Sequence, residues 1–311
     1  MVNWLLFAAA IIFIIPIILR LLMMRTGRRM RTTHVQLGTP DLAPELEGTR
    51  IVLLSDLHVG RLHVPEERLV AAVEGARPDL LFLGGDYVAR LTSHEDALRL
   101  VARLSEGQPT FGVMGNADHH QWLDRRELRA ILRAGGGDLL INEAGRTHIG
   151  DAVVEVLGVD DPVRGSADVN ATLAQASSDA DLRIGLCHSP AQWRQLRRLE
   201  AHITLVGHTH GGQIRVPGLE AHVTHLTYPR ELAAGLFRYS GGDTPPTRLA
   251  DHWEVMNCRE PLRASTADGP LMYVTRGVGM GSLPVRLMCP PEIVIIELVR
   301  QESDGGDCDN D

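Results

Sequence analysis

The chain has 311 residues, with 39 acidic side chains against 31 basic ones and a formal charge of −8. That balance gives no basic surface of the kind that dominates nucleic-acid binding, so neither DNA nor RNA is expected as a partner. No lysine occurs, so the cationic side chains are arginines and P-loop or Schiff-base chemistry is excluded. The length suits one large α/β domain with a buried core and short appendages.

Residues 1–31 read as a transmembrane anchor with a basic flank. From Trp4 to Met24 the chain runs WLLFAAAIIFIIPIILRLLMM, interrupted only by Arg20 near its end. This approaches the ~20 apolar residues that a helix needs to cross a ~30 Å hydrocarbon core. A cleaved signal peptide would carry positive charge before a shorter apolar stretch and a small-residue cleavage site after it, and neither is present. Arg25, Arg28, Arg29 and Arg31 all follow the span and no basic residue precedes it. The positive-inside rule therefore predicts a single pass through the inner (cytoplasmic) membrane with everything downstream in the cytoplasm.

Residues 32–48, rich in Thr, Pro, Gly and Glu, read as a linker, and 49–300 as the catalytic domain. Strand-length apolar runs are predicted at Ile51–Ser55, Leu80–Gly84, Thr110–Met114, Val153–Leu157, Arg183–Cys187, Ile203–Val206, Leu271–Thr275 and Ile293–Leu298. Helices are predicted at Pro65–Ala76, at His94–Leu104 behind a Ser93 cap, at Gln121–Ala134 and at Pro190–Leu199. Residues 239–268 have little periodicity and read as an inserted loop, and 301–311 as a disordered acidic tail. The alternation of strands and helices predicts an α/β layered fold. Cys187, Cys258, Cys289 and Cys308 show no C-x-x-C spacing and are expected to be inert thiols.

Chemistry-bearing residues collect just after these strands. Asp56 and His58 follow the run IVLLS, Asp86 follows LLFLG, and Asn116 follows FGVMG; His188 follows IGLC, and His208 and His210 follow ITLVG. Open α/β sheets place their sites beyond the carboxyl ends of strands, so these side chains should converge. Carboxylate, imidazole and amide oxygen without thiolate suit Mn²⁺, Fe or Zn²⁺, and seven ligands are too many for one tetrahedral ion.

The order DLH, GGDY, GN, HSP and GHTHGGQI resembles the calcineurin-like metallophosphoesterase superfamily from about Arg50 to Leu298. Within it the chain looks like the membrane-anchored bacterial branch, whose late TRGVGMGSLPVR segment matches Thr275–Arg286. The branch includes phosphodiesterases and UDP-2,3-diacylglucosamine pyrophosphatase-like enzymes. The resemblance implies a four-layered αββα sandwich and two divalent ions, most often Mn²⁺. One ion would be held by Asp56, His58 and His210, the other by Asn116, His188 and His208, with Asp86 bridging. Two such ions acidify a water and neutralise phosphoryl oxygens, which implies direct hydrolysis of a phosphoester or pyrophosphate bond. With the anchor, a lipid-linked or amphiphilic substrate is expected.

The family motif GNH departs here to Gly115-Asn116-Ala117-Asp118-His119-His120. Ala117 stands where the family's general acid stands, and losing such an acid typically forfeits ~10²–10⁴ in rate for a poor leaving group. His119 or His120 reaching the site from a shifted loop is one explanation. A substrate whose leaving group needs no acid, such as a soluble nucleotide phosphodiester, is another. The third is a catalytically impaired metal-binding and interaction module.

Overall fold

The computed structural model describes residues 2–90, 92–219, 221, 229–281 and 283–301, with side chains from Ile14 onward. In chain order the strands among them are β1 (Arg31–Thr39), β2 (Arg50–Leu54), β3 (Leu80–Leu83), β4 (Thr110–Gly112), β5 (Asp138–Leu139), β6 (Glu143–Ile149), β7 (Ala152–Val159), β8 (Leu182–Cys187), β9 (Ile203–Val206), β10 (Gly235–Arg238), β11 (Thr247–Ala250), β12 (Leu262–Ser265), β13 (Leu271–Val274) and β14 (Glu292–Arg300). The α-helices are α1 (Val2–Arg28), α2 (Glu66–Ala76), α3 (His94–Leu104), α4 (Asn116–His120), α5 (Arg125–Ala134), α6 (Val169–Leu173), α7 (Trp193–Leu196) and α8 (His252–Asn257).

Two seven-stranded sheets form, ordered β12-β1-β14-β2-β3-β4-β5 and β11-β10-β13-β9-β8-β7-β6. Their central strands are buried on both faces, which is why they read as unbroken apolar runs. In β2 and β3, Ile51, Leu53, Leu80 and Phe82 point between the sheets to meet Val156, Ile184, Leu205 and Tyr273. Their neighbours Val52, Leu54, Leu81 and Leu83 point outward to pack with Leu69 and Val73 of α2, Leu98 of α3 and Leu128 of α5. Val159, Cys187, Val206 and Val274 face outward from the second sheet to Val169 of α6 and Trp193 of α7. The result is a mixed α/β arrangement in four layers, helices, sheet, sheet, helices.

Several sequence expectations need correction. Residues 32–48 are not a linker, because β1 is a strand paired in parallel with both β14 and β12. Its alternating Thr33, Val35 and Leu37 are buried, so the catalytic unit begins at β1. The supposed loop 239–268 contains β11, α8 and β12, with Asp251 and Glu254 forming a capping box at the start of α8. Gln121–Ala134 is interrupted: α4 ends at His120, Trp122 takes a left-handed φ of 57°, and Asp124 caps α5. Pro190–Leu199 is a succession of short helical turns rather than one helix.

The segment read as a membrane span does form a helix, α1, with Pro16 inside it. The side chains before Ile14 lie outside those described, and among the described residues no helix is long and apolar enough to cross a membrane. The carboxyl end of α1 docks on the domain: Gly27 packs against the end of the Met280 side chain and beside His63, and Arg68 donates to the Arg28 carbonyl at 3.4 Å. The expected acidic tail falls, apart from Gln301, outside the described residues.

Candidate functional site

The parallel strands β2, β3 and β4 of one sheet and β8 and β9 of the other deliver their carboxyl ends to a common edge. The turns beyond them are sharp. Asp56, His58, Asp86, His208 and His210 all have positive φ, between 42° and 70°. Non-glycine residues adopt this region at a cost of about 1–3 kcal/mol each, and such strain concentrates where function requires it.

The expected ligands converge on this edge in two groups. Asp56, His58 and His210 form one, with His58 Nε2 3.2 Å from His210 Nε2 and His210 Nε2 3.5 Å from Asp56 Oδ1. In the other, His188 Nε2 lies 3.2 Å from Asn116 Oδ1 and 3.1 Å from His208 Nδ1. Asp86 stands between them: its Oδ2 is 3.3 Å from His58 Nε2 and 3.5 Å from His188 Nε2.

Hydrogen bonds around these residues set their ligand forms. His58 Nδ1 lies 3.3 Å from the Val88 carbonyl, and His188 Nδ1 lies 2.7 Å from the Gly84 carbonyl. A carbonyl only accepts, so each Nδ1 carries the proton and donates it, leaving the Nε2 lone pair facing inward. Burial, with His58 and Arg286 adding to it, holds His210 well below the ordinary imidazole value and therefore neutral. Burial alone would raise Asp86, but His188 and His58 outweigh it and keep the carboxyl below its usual range. Burial opposes a charge on His188, yet Asp86 and Asp56 pull it well above the usual value. Excess negative charge in a buried pocket thus draws in a proton that a cation would replace. Facing lone pairs and an N/O donor set without thiolate fit divalent metal ions.

Three positions near the ligands lie in the quoted motif segments, but the sequence reading assigns them no role. Asp118 is fully buried, and its carboxylate accepts the N–H groups of Gly115, Asp86 and Tyr87 at 2.8 Å each, so it ties the Asn116 turn to the Asp86 turn. Burial and the neighbouring Asp86 push its carboxyl up to about 7. Arg286 is fully buried and donates to the carbonyls of Arg276 at 2.8 Å, Gly279 at 2.6 Å and His210 at 3.4 Å. It thereby clamps the Gly277–Gly281 loop under the ligands. Gly277 has φ 63°, and a β-carbon there would lie 2.7 Å from the Asp56 side chain.

A cleft of about 350 Å³ opens over the ligands, and His120, Arg61, Arg90 and Arg164 are in its lining. His119 is not. It turns away into an adjoining hollow beside Trp122, where its Nε2 pairs with Asp160 Oδ1 at 2.7 Å. Of the two histidines considered as substitutes for the absent acid, only His120 faces the site. Ala117 contributes its backbone N–H to Asp86 Oδ1 at 2.7 Å. Cys187, buried and pushed up to about 12, is an inert thiol; Cys289 is likewise buried and raised, chiefly by burial in both cases. Cys258 is exposed and Cys308 lies outside the described residues.

Residues 49–212, more than half of the chain, match the family described as Calcineurin-like phosphoesterase. The chain belongs to this family. As a calcineurin-like phosphoesterase it is a hydrolase of the phosphoester type. It is 26% identical to the uncharacterized metallophosphoesterase YkuE of Bacillus subtilis over 86% of this chain and 85% of that one. It is also 28% identical to the phosphodiesterase YaeI of Escherichia coli over 80% of this chain and 82% of that one. A Danio rerio protein named as a transmembrane protein with metallophosphoesterase domain is 26% identical over 86% of this chain and 57% of that one.

Proposed function

We propose that the calcineurin-like phosphoesterase is a two-metal hydrolase of a phosphodiester or pyrophosphate bond, anchored by α1 in the cytoplasmic membrane and acting on a lipid-linked or amphiphilic substrate. The observation that carries the two-metal part is the position of Asp86, one carboxylate oxygen of which faces both ligand groups. Asp56, His58 and His210 would hold one ion, Asn116, His188 and His208 the other, with Asp86 shared; Mn²⁺ suits this mixed set. Bound there, the ions would supply Lewis-acid charge for the phosphoryl oxygens and a more acidic water.

The chain's own residues supply the rest. The peptide N–H of Ala117 and the buried Asp118 fix Asp86 in place. His120, in the cleft lining, brings a proton to the leaving oxygen, a task that the Ala117 methyl cannot perform. Its position in the cleft favours an active enzyme over a metal-binding module without turnover.

The membrane part rests on α1. Described residues Ile14, Ile15, Ile17, Ile18, Leu21 and Leu22 leave large apolar side chains exposed. Near its carboxyl end, at Gly27, the helix packs against Met280, next to Gly281, which lines the cleft. A bilayer holding α1 would therefore lie close to the cleft, where a lipid-linked phosphate can reach it. The YaeI and Danio rerio names accord with a diesterase and with a membrane setting.

The test is hydrolysis of bis-p-nitrophenyl phosphate by the Mn²⁺-supplemented protein beside Asp86→Ala, with flotation on anionic vesicles of the full chain and of a form lacking residues 1–28. Turnover abolished in Asp86→Ala and flotation lost on truncation are expected. Turnover that survives Asp86→Ala would refute the two-metal reading, and a truncated form that still floats would refute the anchor.

A further inference from the structure

Three arginines line the cleft over the ligands, and we infer that they form an anion subsite for a second phosphate of the substrate, adjacent to the one that is cleaved. This rests on the hydrolase reading above and narrows it to substrates bearing two neighbouring anionic phosphoryl groups.

What sets these arginines apart is their place over the ligands, since among the described residues some arginines pair with carboxylates and others do not. Arg103 pairs with Glu67, Arg129 with Glu143, Arg133 with Asp138, Arg183 with Glu155 and Arg276 with Glu292. Arg61, Arg90 and Arg164 have no ion pair with a carboxylate among the described residues, and all three share the cleft lining with His58, Asp86 and His208. Three guanidinium groups lining one opening offer an anion several donors, and guanidinium is the side chain best shaped for phosphate.

The arginines come from three separate loops, so no local sequence feature explains their meeting. Arg61 follows the His58 turn and is held in place by donating from Nη1 to the Gly281 carbonyl at 2.6 Å. Arg90 lies four residues beyond Asp86, and Arg164 follows β7. Arg164 also lines the adjoining hollow that contains His119 and Trp122, where Trp122 is 87% exposed. That shared position gives the substrate a direction: from the ligands, past Arg164, towards α4 and α5. A diphosphate bridge running this way leaves its second phosphoryl group among guanidiniums, whereas a diester with uncharged flanks would leave them unsatisfied.

The experiment uses the full chain loaded with Mn²⁺ beside the double variant Arg90→Gln/Arg164→Gln. Both residues are exposed, so the fold does not depend on them. Titration calorimetry measures binding of methylenediphosphonate and methylphosphonate. Kinetics compare a P1,P2-dialkyl diphosphate with bis-p-nitrophenyl phosphate. The double variant is expected to weaken methylenediphosphonate binding, and kcat/KM for the diphosphate, by about tenfold more than the matching single-phosphorus probe, the equivalent of at least one charge-assisted hydrogen bond. Equal losses on both probes would mean that the arginines serve the reacting phosphoryl group and would overturn the subsite, as would no loss on either. Selective loss of diphosphonate binding in a protein that hydrolyses neither substrate would sustain the subsite while refuting the hydrolase reading.

Discussion

The carboxylate of Asp118 accepts the backbone N–H of Asp86 at 2.8 Å, so the residue that faces both ligand groups is held from behind by one that touches neither. The same carboxylate takes the Gly115 and Tyr87 N–H groups. Asp118→Ala strands several buried donors, each worth about 1–3 kcal/mol when left unpaired. A loss of about 3 kcal/mol or more in denaturant unfolding is expected, with a smaller loss for Asp118→Asn, which keeps an acceptor oxygen. A change under about 1 kcal/mol in the alanine variant would show that the turns stand without it.

His120 and His119 are neighbours with different surroundings. His120→Ala should slow hydrolysis of an alkyl ester by about 10²-fold or more, with little effect on a nitrophenyl ester whose leaving group needs no proton. His119→Ala should show no such dependence on the leaving group. A reversed pattern would place the acid on the other side of α4.

The His119–Asp160 pair makes stability depend on pH. A hydrogen bond from His119 to Asp160 raises the imidazole value, and the pair's charges reinforce it. Burial opposes the charge on Asp160, but the His119 hydrogen bond and the backbone donors of Ser166 and Asp161 lower it overall. A raised histidine contributes stability that is fully present below its unfolded value near 6.5 and is lost as pH rises through the folded one. The lowered aspartate contributes above its unfolded value near 3.8 and loses that contribution as pH falls through the folded one. The difference in unfolding free energy between the parent and His119→Ala should therefore be greatest between those two values and shrink towards alkaline pH. A difference that grows above pH 8 would contradict the pairing.

Gly277→Ala tests how tightly the late loop sits under the site. Its φ of 63° disfavours a side chain, and the new β-carbon would meet Asp56. A destabilisation of about 1–3 kcal/mol is expected. Metal content after gel filtration should fall below two ions per chain. Full occupancy would mean that the Asp56 turn yields without consequence.

Much of this centre was legible before any coordinates, because strand ends are marked by two signals together: an apolar run buried on both faces, and a polar residue immediately after it. Asp56, Asp86, Asn116, His188 and His208 all carry both. What stayed hidden depends on distant partners. β1 reads as a linker because residues 32–48 are rich in Thr, Pro, Gly and Glu, which outweighs the short alternation of buried Thr33, Val35 and Leu37, and the strands that pair with it lie more than two hundred residues away. Residues 239–268 carry the Asp251 and Glu254 cap signal, but their glycines and prolines leave little periodicity around it. The choice between His119 and His120 turns on about 100° around a helix of five residues, which spacing alone does not resolve. The three cleft arginines likewise meet only in the folded chain.

The left-handed turns at Asp56, His58, Asp86, His208 and His210 have a consequence for motion. Strain held in these turns lowers the cost of opening the backbone there relative to the paired strand interiors. Amide exchange in the ion-free protein should accordingly be fast at these turns and slow at Val52, Phe82 and Leu205 within the strands. Adding Mn²⁺ should protect the turns and leave the strand interiors as they were, so the metal centre would behave as a latch on its own strained turns.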